Sequence, residues 1–187
     1  GRSEALLHLQ QFKNRLKYYK RDRDFIDRNG TSNLSPYIRH GVVSIRELIQ
    51  LALEDRTCDG HDMWLSELIW REFYQMILDR FPMVVNTPFK EKYRHLTFPG
   101  QTSHFDAWCH GKTGYPIIDA AMRCLNETGK MHNRLRMIVS SFLCKLLLID
   151  WQKGEAYFAM QLLDFDLAAN NGGWQWAAGC GTDAAPY

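Results

Sequence analysis

Apolar side chains recur along much of this 187-residue chain at steps of three and four, the spacing of one helix face. Over residues 2–19 the recurring positions are Leu6, Leu9, Phe12 and Leu16, which predict a first helix. A charged segment, Lys20 to Asp24, and the turn-forming run Asn29-Gly30-Thr31-Ser32 follow it. Pro36 opens a short helical piece. Ser44-Ile45-Arg46-Glu47 has the form of a capping box, with Ser44 as cap and Glu47 reaching back, ahead of a helix carrying Leu48, Ile49, Leu51 and Ala52. Residues 64–81 give the clearest helix, with Leu65, Ile69, Phe73 and Met76 on one face and Glu67, Trp70, Arg71 and Tyr74 on another. Between Pro82 and Gly114 the period breaks up, and Pro88, Pro99 and Gly100 mark a long connection. A helix is predicted over 117–127, stopped by Gly129, followed by an apolar run over 132–150 and, after a break at Gly154, a helix over 155–163. The last segment, 164–187, is rich in Gly, Asn and Ala. No alternating strand pattern stands out, so the chain reads as all-α with long functional loops.

Composition narrows the function classes. At 45% hydrophobic residues the chain can bury one sizeable core, and 23 basic against 21 acidic residues argue against binding by bulk charge alone. Aromatic residues make up 13%, a load that suits a core, a stacking platform or a redox site equally well. Five cysteines with no CxxC pair read as reduced thiols in an intracellular, cytoplasmic protein. Cys109-His110 has no second ligand pair at zinc spacing, so no metal site is expected. The apolar run Leu146 to Ile149 is far too short to span a bilayer, and no other run approaches the length needed.

Three segments are candidates for chemistry. Gly111-Lys112-Thr113 resembles part of a phosphate loop, but Asp106 stands where the loop's first glycine belongs and no apolar strand precedes it. The reading as a turn into the next helix is preferred. In Met131-His132-Asn133-Arg134-Leu135-Arg136-Met137, helical spacing puts Asn133, Arg136 and Met137 side by side. A plain basic helix start and a face that meets an anionic, planar ligand remain equally good readings. Residues 164–176, DFDLAANNGGWQW, gather two aspartates, two amides, two glycines and two tryptophans, and here a ligand site is favoured. Gly30-Thr31-Ser32-Asn33-Leu34-Ser35 adds a hydroxyl-rich loop of the kind that can seat a phosphate.

Taken together the motifs GTSNLS (30–35), WLSELIWREFY (64–74), GKTGYPIIDAAMR (111–123), MHNRLRM (131–137), LLIDW (147–151) and DLAANNGGWQWAAGCGTDAAPY (166–187) resemble the flavin-binding domain of the photolyase/cryptochrome family. Within that family they resemble the bacterial-type class I cyclobutane pyrimidine dimer photolyases. The resemblance implies a multi-helical FAD-binding domain, residues 1–187, that is incomplete at its C-terminus and lacks the family's N-terminal α/β antenna domain. It implies FAD, active as FADH⁻, with Tyr19, Thr31, Ser32, Leu34 and Ser35 holding the phosphates and ribityl chain. Arg71, Asn133, Arg136, Asp164 and Asp166 would hold the isoalloxazine and the rest of the cofactor, and Asn170 would face the flavin N5. For DNA carrying a cyclobutane pyrimidine dimer, Trp70 and Trp176 would stack on the flipped lesion and Glu67 would bond its base edge. Asn133 and Met137 would complete the pocket, and Arg23 and Arg134 would touch flanking phosphates. The implied activity is light-driven electron donation to the dimer by a monomeric deoxyribodipyrimidine photo-lyase associated with the nucleoid.

The competing readings are a cryptochrome-like photoreceptor and an inactive fragment. Asn170 separates the repair enzyme from the photoreceptor, since plant cryptochromes carry Asp and animal ones Cys at this place. Two departures from the family pattern stand out. Trp174 and Trp151 match the inner members of the family's three-tryptophan electron relay, but the outer position is Phe98, so weak photoreduction by that path is expected unless Tyr93 or another residue substitutes. Asn33 replaces the usual arginine of the first motif.

Overall fold

The computed structural model describes residues 1–55 and 57–182, and these contain helices and turns but no strand. They form two compact units, Gly1–Phe73 and Tyr74–Tyr187. The end of the last motif, 183–187, lies outside the described residues.

The first unit holds α1 (Arg2–Lys13), short helices α2 (Tyr19–Asp22) and α3 (Ser35–Arg39), α4 (Ile45–Leu53) and most of α5 (Asp59–Arg80). The predicted first helix ends early, and a 3₁₀ turn over Leu16–Tyr18 re-aims the chain into α2. Its buried face is Ala5, Phe12 and Leu16, whereas Leu6 is exposed. These side chains pack with Leu48, Leu51 and Ala52 of α4 and with Trp64 and Leu68 of α5. Phe12 meets the Trp64 ring at 5.0 Å between centroids. Ser44 does cap α4, but its oxygen accepts from Arg46 N–H, and Glu47 pairs with Arg2 instead. On α5 the core positions are Trp64 and Leu68, while Ile69 and Met76 of the expected apolar face are exposed.

The second unit holds α6 (Thr102–Cys109), α7 (Pro116–Thr128), α8 (Asn133–Ser141), α9 (Trp151–Gln161) and α10 (Leu167–Ala178). Helix α6 lies inside the stretch expected to be connection. Proline at the first position and Gly129 in the left-handed conformation, φ 66°, bound α7. The Gly111–Thr113 segment is a turn: Asp119 accepts from Thr113 N–H and hydroxyl and from Gly114 N–H, so this loop's donors serve its own helix. The run expected over 132–150 is α8 followed by a π turn over Phe142–Leu146 and an irregular segment. Gly154, expected as a breaker, lies inside α9, and Gly172 lies inside α10. A Cβ on Gly154 would stand 2.2 Å from a Trp174 ring carbon, and one on Gly172 would stand 2.1 Å from the Tyr74 ring. Helices α8 and α9 both pack on α10, and the core of this unit holds Trp108, Trp151, Phe158 and Trp174, each 2% exposed or less.

Candidate functional site

In the first unit the predicted cofactor residues fall around one loop. Tyr19 is buried against the Phe12 ring, and burial, with the Glu67 carboxylate nearby, pushes its phenol up to about 12. Thr31 and Ser32 are half-buried and Ser35 is exposed at the first position of α3. The Ser32 hydroxyl accepts from Leu34 N–H at 3.3 Å. Leu34 itself is fully buried, so its side chain is core and only its backbone can serve a ligand.

The two groups assigned to separate DNA contacts, Arg23 and Glu67, are joined. Arg23 Nη1 donates to Glu67 Oε1, and the guanidinium also lies over the Tyr19 ring at 5.5 Å. Burial works against the Arg23 charge, but Glu67 outweighs it and holds the group more firmly protonated. Arg23 is therefore a half-buried, paired cation and not an isolated phosphate anchor. Trp70 is 39% exposed, edge-on to Phe73 at 5.4 Å, and Arg71 is half-buried.

In the second unit, α8 and α10 carry the predicted groups. Asn133 and Arg134 both point donors at the Met137 sulfur, at 3.9 and 3.2 Å, as the i to i+4 and i to i+3 spacings dictate. Arg136 donates through Nη2 to both oxygens of Asp164, at 2.9 and 3.0 Å, and through Nε to the Met131 carbonyl. Asp166 caps α10 by accepting from Ala169 N–H and also receives Gln75 Nε2 at 2.9 Å on each oxygen.

Asn170 sits one turn further along α10. Its Nδ2 donates to the Glu155 carbonyl at 3.1 Å, which anchors the amide on α9. Gly173, on the same face three residues on, has no protein atom within 4 Å of where a Cβ would stand. A polar amide edge beside a strip without side chains suits a flat ring. Trp176 is half-buried. Trp174 meets Trp108 at 6.0 Å and Phe158 at 5.0 Å, while Phe98 and Tyr93 pack on the edge of the same cluster.

Behind Asn170 lies a buried amide network that the sequence reading does not contain. Asn171 donates to the Val84 carbonyl and to Glu155 Oε1, at 3.0 and 3.2 Å. Gln175 donates to Val84 and Thr87 carbonyls and to Asn171 Oδ1, and accepts from Phe89 N–H. Burial pushes the Glu155 carboxyl up, against the Asn171 hydrogen bond. The signal in the sequence is the i, i+4 pair of amides, Asn171 and Gln175, on a helix made mostly of small and aromatic residues. Among the described residues no group of His, Cys, Asp and Glu could hold a metal ion, and no helix is long and apolar enough to cross a membrane.

Residues 64–187 match the model of the FAD binding domain of DNA photolyase. The chain is 51% identical over 189 residues to the deoxyribodipyrimidine photo-lyase of Escherichia coli, covering 98% of this chain and 40% of that protein. It is likewise 51% identical over 178 residues to that of Vibrio cholerae, covering 92% of this chain and 38% of the relative. Among solved structures, a class III photolyase from Agrobacterium tumefaciens superposes with a TM-score of 0.93 at 39% identity, covering all of this chain and 40% of that one. A Synechocystis cryptochrome superposes at 0.89 with 33% identity and the same coverage. The chain thus spans about 40% of the length of these relatives. Within the second unit the donor set fits a flavin: an arginine held by both oxygens of the Asp164 carboxylate, and the Asn170 amide near the bare backbone of Gly173. With two thirds of its residues matched to the family model and relatives at half identity along nearly its whole length, the chain belongs to the family of the FAD binding domain of DNA photolyase.

Proposed function

We propose that residues 1–187 are a partial FAD- and DNA-binding helical domain of an enzyme that repairs cyclobutane pyrimidine dimers with light. The observation that carries this reading is Asn170, a neutral amide anchored through one of its N–H groups to the Glu155 carbonyl, with an oxygen that can accept. Such a group can hold a proton-bearing ring nitrogen, whereas an aspartate would set a negative charge beside an anionic reduced ring. FAD, when bound in its reduced form and excited by light, supplies the electron that opens the cyclobutane ring.

The chain's own residues then bind, orient and keep out water. Thr31, Ser32 and Ser35 offer hydroxyls, and Tyr19 and Leu34 shape the loop, for the phosphates and ribityl chain. Arg71, Asn133, Arg136, Asp164, Asp166 and Asn170 hold the ring and the remainder. Arg136 is fixed by its two bonds to Asp164, so its charge is preorganised at little entropy cost. Trp70 and Trp176 present aromatic faces to a flipped base, at about 1–3 kcal/mol of stacking per base, enough to offset much of the unstacking cost. Glu67 keeps a free carboxylate oxygen for a base edge while Arg23 takes the other. Arg134 offers its charge to a flanking phosphate, and Met137 lines the pocket with Asn133. Trp174 is the inner electron donor that restores the reduced state, and Trp151 and Phe98 stand in the family's middle and outer places.

The test is to load the protein with FAD, reduce it chemically, and illuminate it with an oligonucleotide holding one cyclobutane thymine dimer. Restored thymines, counted by chromatography, are expected in proportion to bound flavin. A protein that binds flavin and restores none is a photoreceptor and not a repair enzyme. A protein that takes up no flavin refutes the site.

A further inference from the structure

We propose that the oxidising equivalent formed on Trp174 leaves this protein through Trp108 and Tyr157, and not by way of Trp151 and Phe98. The inference rests on the flavin reading above, since it needs a light-driven one-electron oxidant at Trp174. A relay needs aromatic rings in contact, each no harder to oxidise than the last, and an end that reaches solvent. The Trp151 side fails at its end, where Phe98 has a ring far harder to oxidise than an indole.

A second route is built into the same core. Trp108 is fully buried and stands edge-on to Trp174, ring centroids 6.0 Å apart at 72°. Phe158 fills the angle between them, 5.0 Å from Trp174 and 6.1 Å from Trp108, so no water separates the two indoles. Trp108 Nε1–H donates to the Val139 carbonyl at 3.1 Å. That bond stabilises a positive indole and holds its proton in place while the hole passes. On its far side Trp108 meets Tyr157 at 5.7 Å. Tyr157 is partly exposed, and its hydroxyl lies 2.7 Å from Asn126 Oδ1 and 3.0 Å from the Cys109 carbonyl. A phenol bonded to oxygen acceptors at the protein surface can lose its electron and its proton together. Tyr93 is another phenol on this core, but the Lys92 ammonium sits over its ring at 4.8 Å and makes removal of an electron from it harder.

The steps balance as follows. Trp174 gives one electron to the photoexcited oxidised flavin and becomes a radical cation. Trp108 returns one electron to Trp174, and Tyr157 returns one to Trp108 while its phenolic proton passes to water. The neutral tyrosyl radical is reduced by a thiolate in solution, which takes the oxidising equivalent away as a thiyl radical, and a proton from water restores the phenol.

Flash photolysis of the FAD-loaded protein with oxidised flavin tests the route. The parent should show a long-lived neutral tyrosyl radical that a thiol quenches. Tyr157→Phe, which removes one oxygen from the surface, should replace that signal by a tryptophan radical that recombines at least about tenfold faster. Trp108→Phe should shorten the lifetime further, and Tyr93→Phe should leave the parent signal unchanged. A parent without tyrosyl radical, a Tyr157→Phe protein with an unchanged signal, or loss of the signal in Tyr93→Phe would each overturn the route while leaving repair by chemically reduced protein as a separate result. A protein without bound flavin absorbance refutes both this route and the function it rests on.

Discussion

Gln175→Glu tests whether the amide network behind Asn170 holds the second unit together. The side chain is 2% exposed. Its Nε2 faces the carbonyls of Val84 (2.9 Å) and Thr87 (3.3 Å) and Asn171 Oδ1 (3.1 Å), and its Oε1 accepts from Phe89 N–H at 2.8 Å. Glutamate has the same shape but, when ionised, no hydrogen to give. It keeps the Phe89 bond and sets a carboxylate oxygen against three other oxygens. Two lost hydrogen bonds cost about 1 kcal/mol each, and the desolvated charge adds roughly 1–3 kcal/mol, for a total of about 3–5 kcal/mol. Gln175→Leu loses the same bonds and orphans the Phe89 N–H but buries no charge, so it should cost about 2–4 kcal/mol. At ~2–4 °C per kcal/mol for a chain of this size, the Glu variant should melt on the order of 10 °C below the parent at about pH 8. Its deficit should shrink at about pH 5, because a protonated carboxyl can donate again. Thermal unfolding followed by circular dichroism at both pH values decides it. A Glu variant within about 2 °C of the parent at about pH 8 would show that the network carries no stability.

Three further outcomes follow from the same core. Gly154→Ala puts a methyl 2.2 Å from Trp174 Cη2 and 2.6 Å from Leu143 Cδ2, so it should cost about 1–3 kcal/mol and shift the Trp174 emission; parent-like stability would show that α9 and α10 can part freely. Burial raises the Glu155 carboxyl, so the folded state favours the protonated form. Its stabilising effect is complete below the ordinary carboxylate range and is lost as pH rises through the folded value. Glu155→Gln keeps an acceptor for Asn171 and removes that titration; denaturant melts should find it level with the parent at about pH 4 and more stable at about pH 8, and the opposite trend would contradict the assignment. Asn170→Asp should drive the midpoint potential of bound flavin more negative, and an unchanged potential would remove Asn170 from the ring.

Elements whose ends are set by local chemistry were legible before any coordinates. Pro116 and Gly129 bound α7, and Ser44 opens α4. The all-α class follows from the same periodicity. Where the reading departs from the structure, packing overrides local preference. Glycine in a helix interior costs about 1 kcal/mol relative to alanine, which is why Gly154 reads as a break and the Gly172-Gly173 pair gives no helix signal. The Trp174 and Tyr74 rings occupy the space their side chains would need, and that contact keeps both glycines helical. On α5, large apolar residues occur on more than one face. Periodicity alone cannot rank Leu65, Ile69 and Met76 below Trp64 and Leu68; burial does.

The site residues were named by resemblance, and what resemblance does not carry is who holds whom. Arg23 and Glu67 stand 44 positions apart, and no local spacing joins them, yet they form one ion pair. A phosphate approaching Arg23 must then compete with Glu67, and a base edge approaching Glu67 must share it with Arg23, so the two DNA contacts assigned to them are coupled. Asn33 is a second case. In the sequence it is a missing positive charge. In the structure it sits at φ 55°, and its amide donates to Asn29 Oδ1 at 3.1 Å. The left-handed conformation costs most residues roughly 1–2 kcal/mol, and asparagine tolerates it because its short amide can bond locally. An arginine there would add charge but give up that bond and take on the strain. The departure from the family pattern therefore has a backbone reason as well as an electrostatic one: this loop trades a cation for a turn that its own side chains hold.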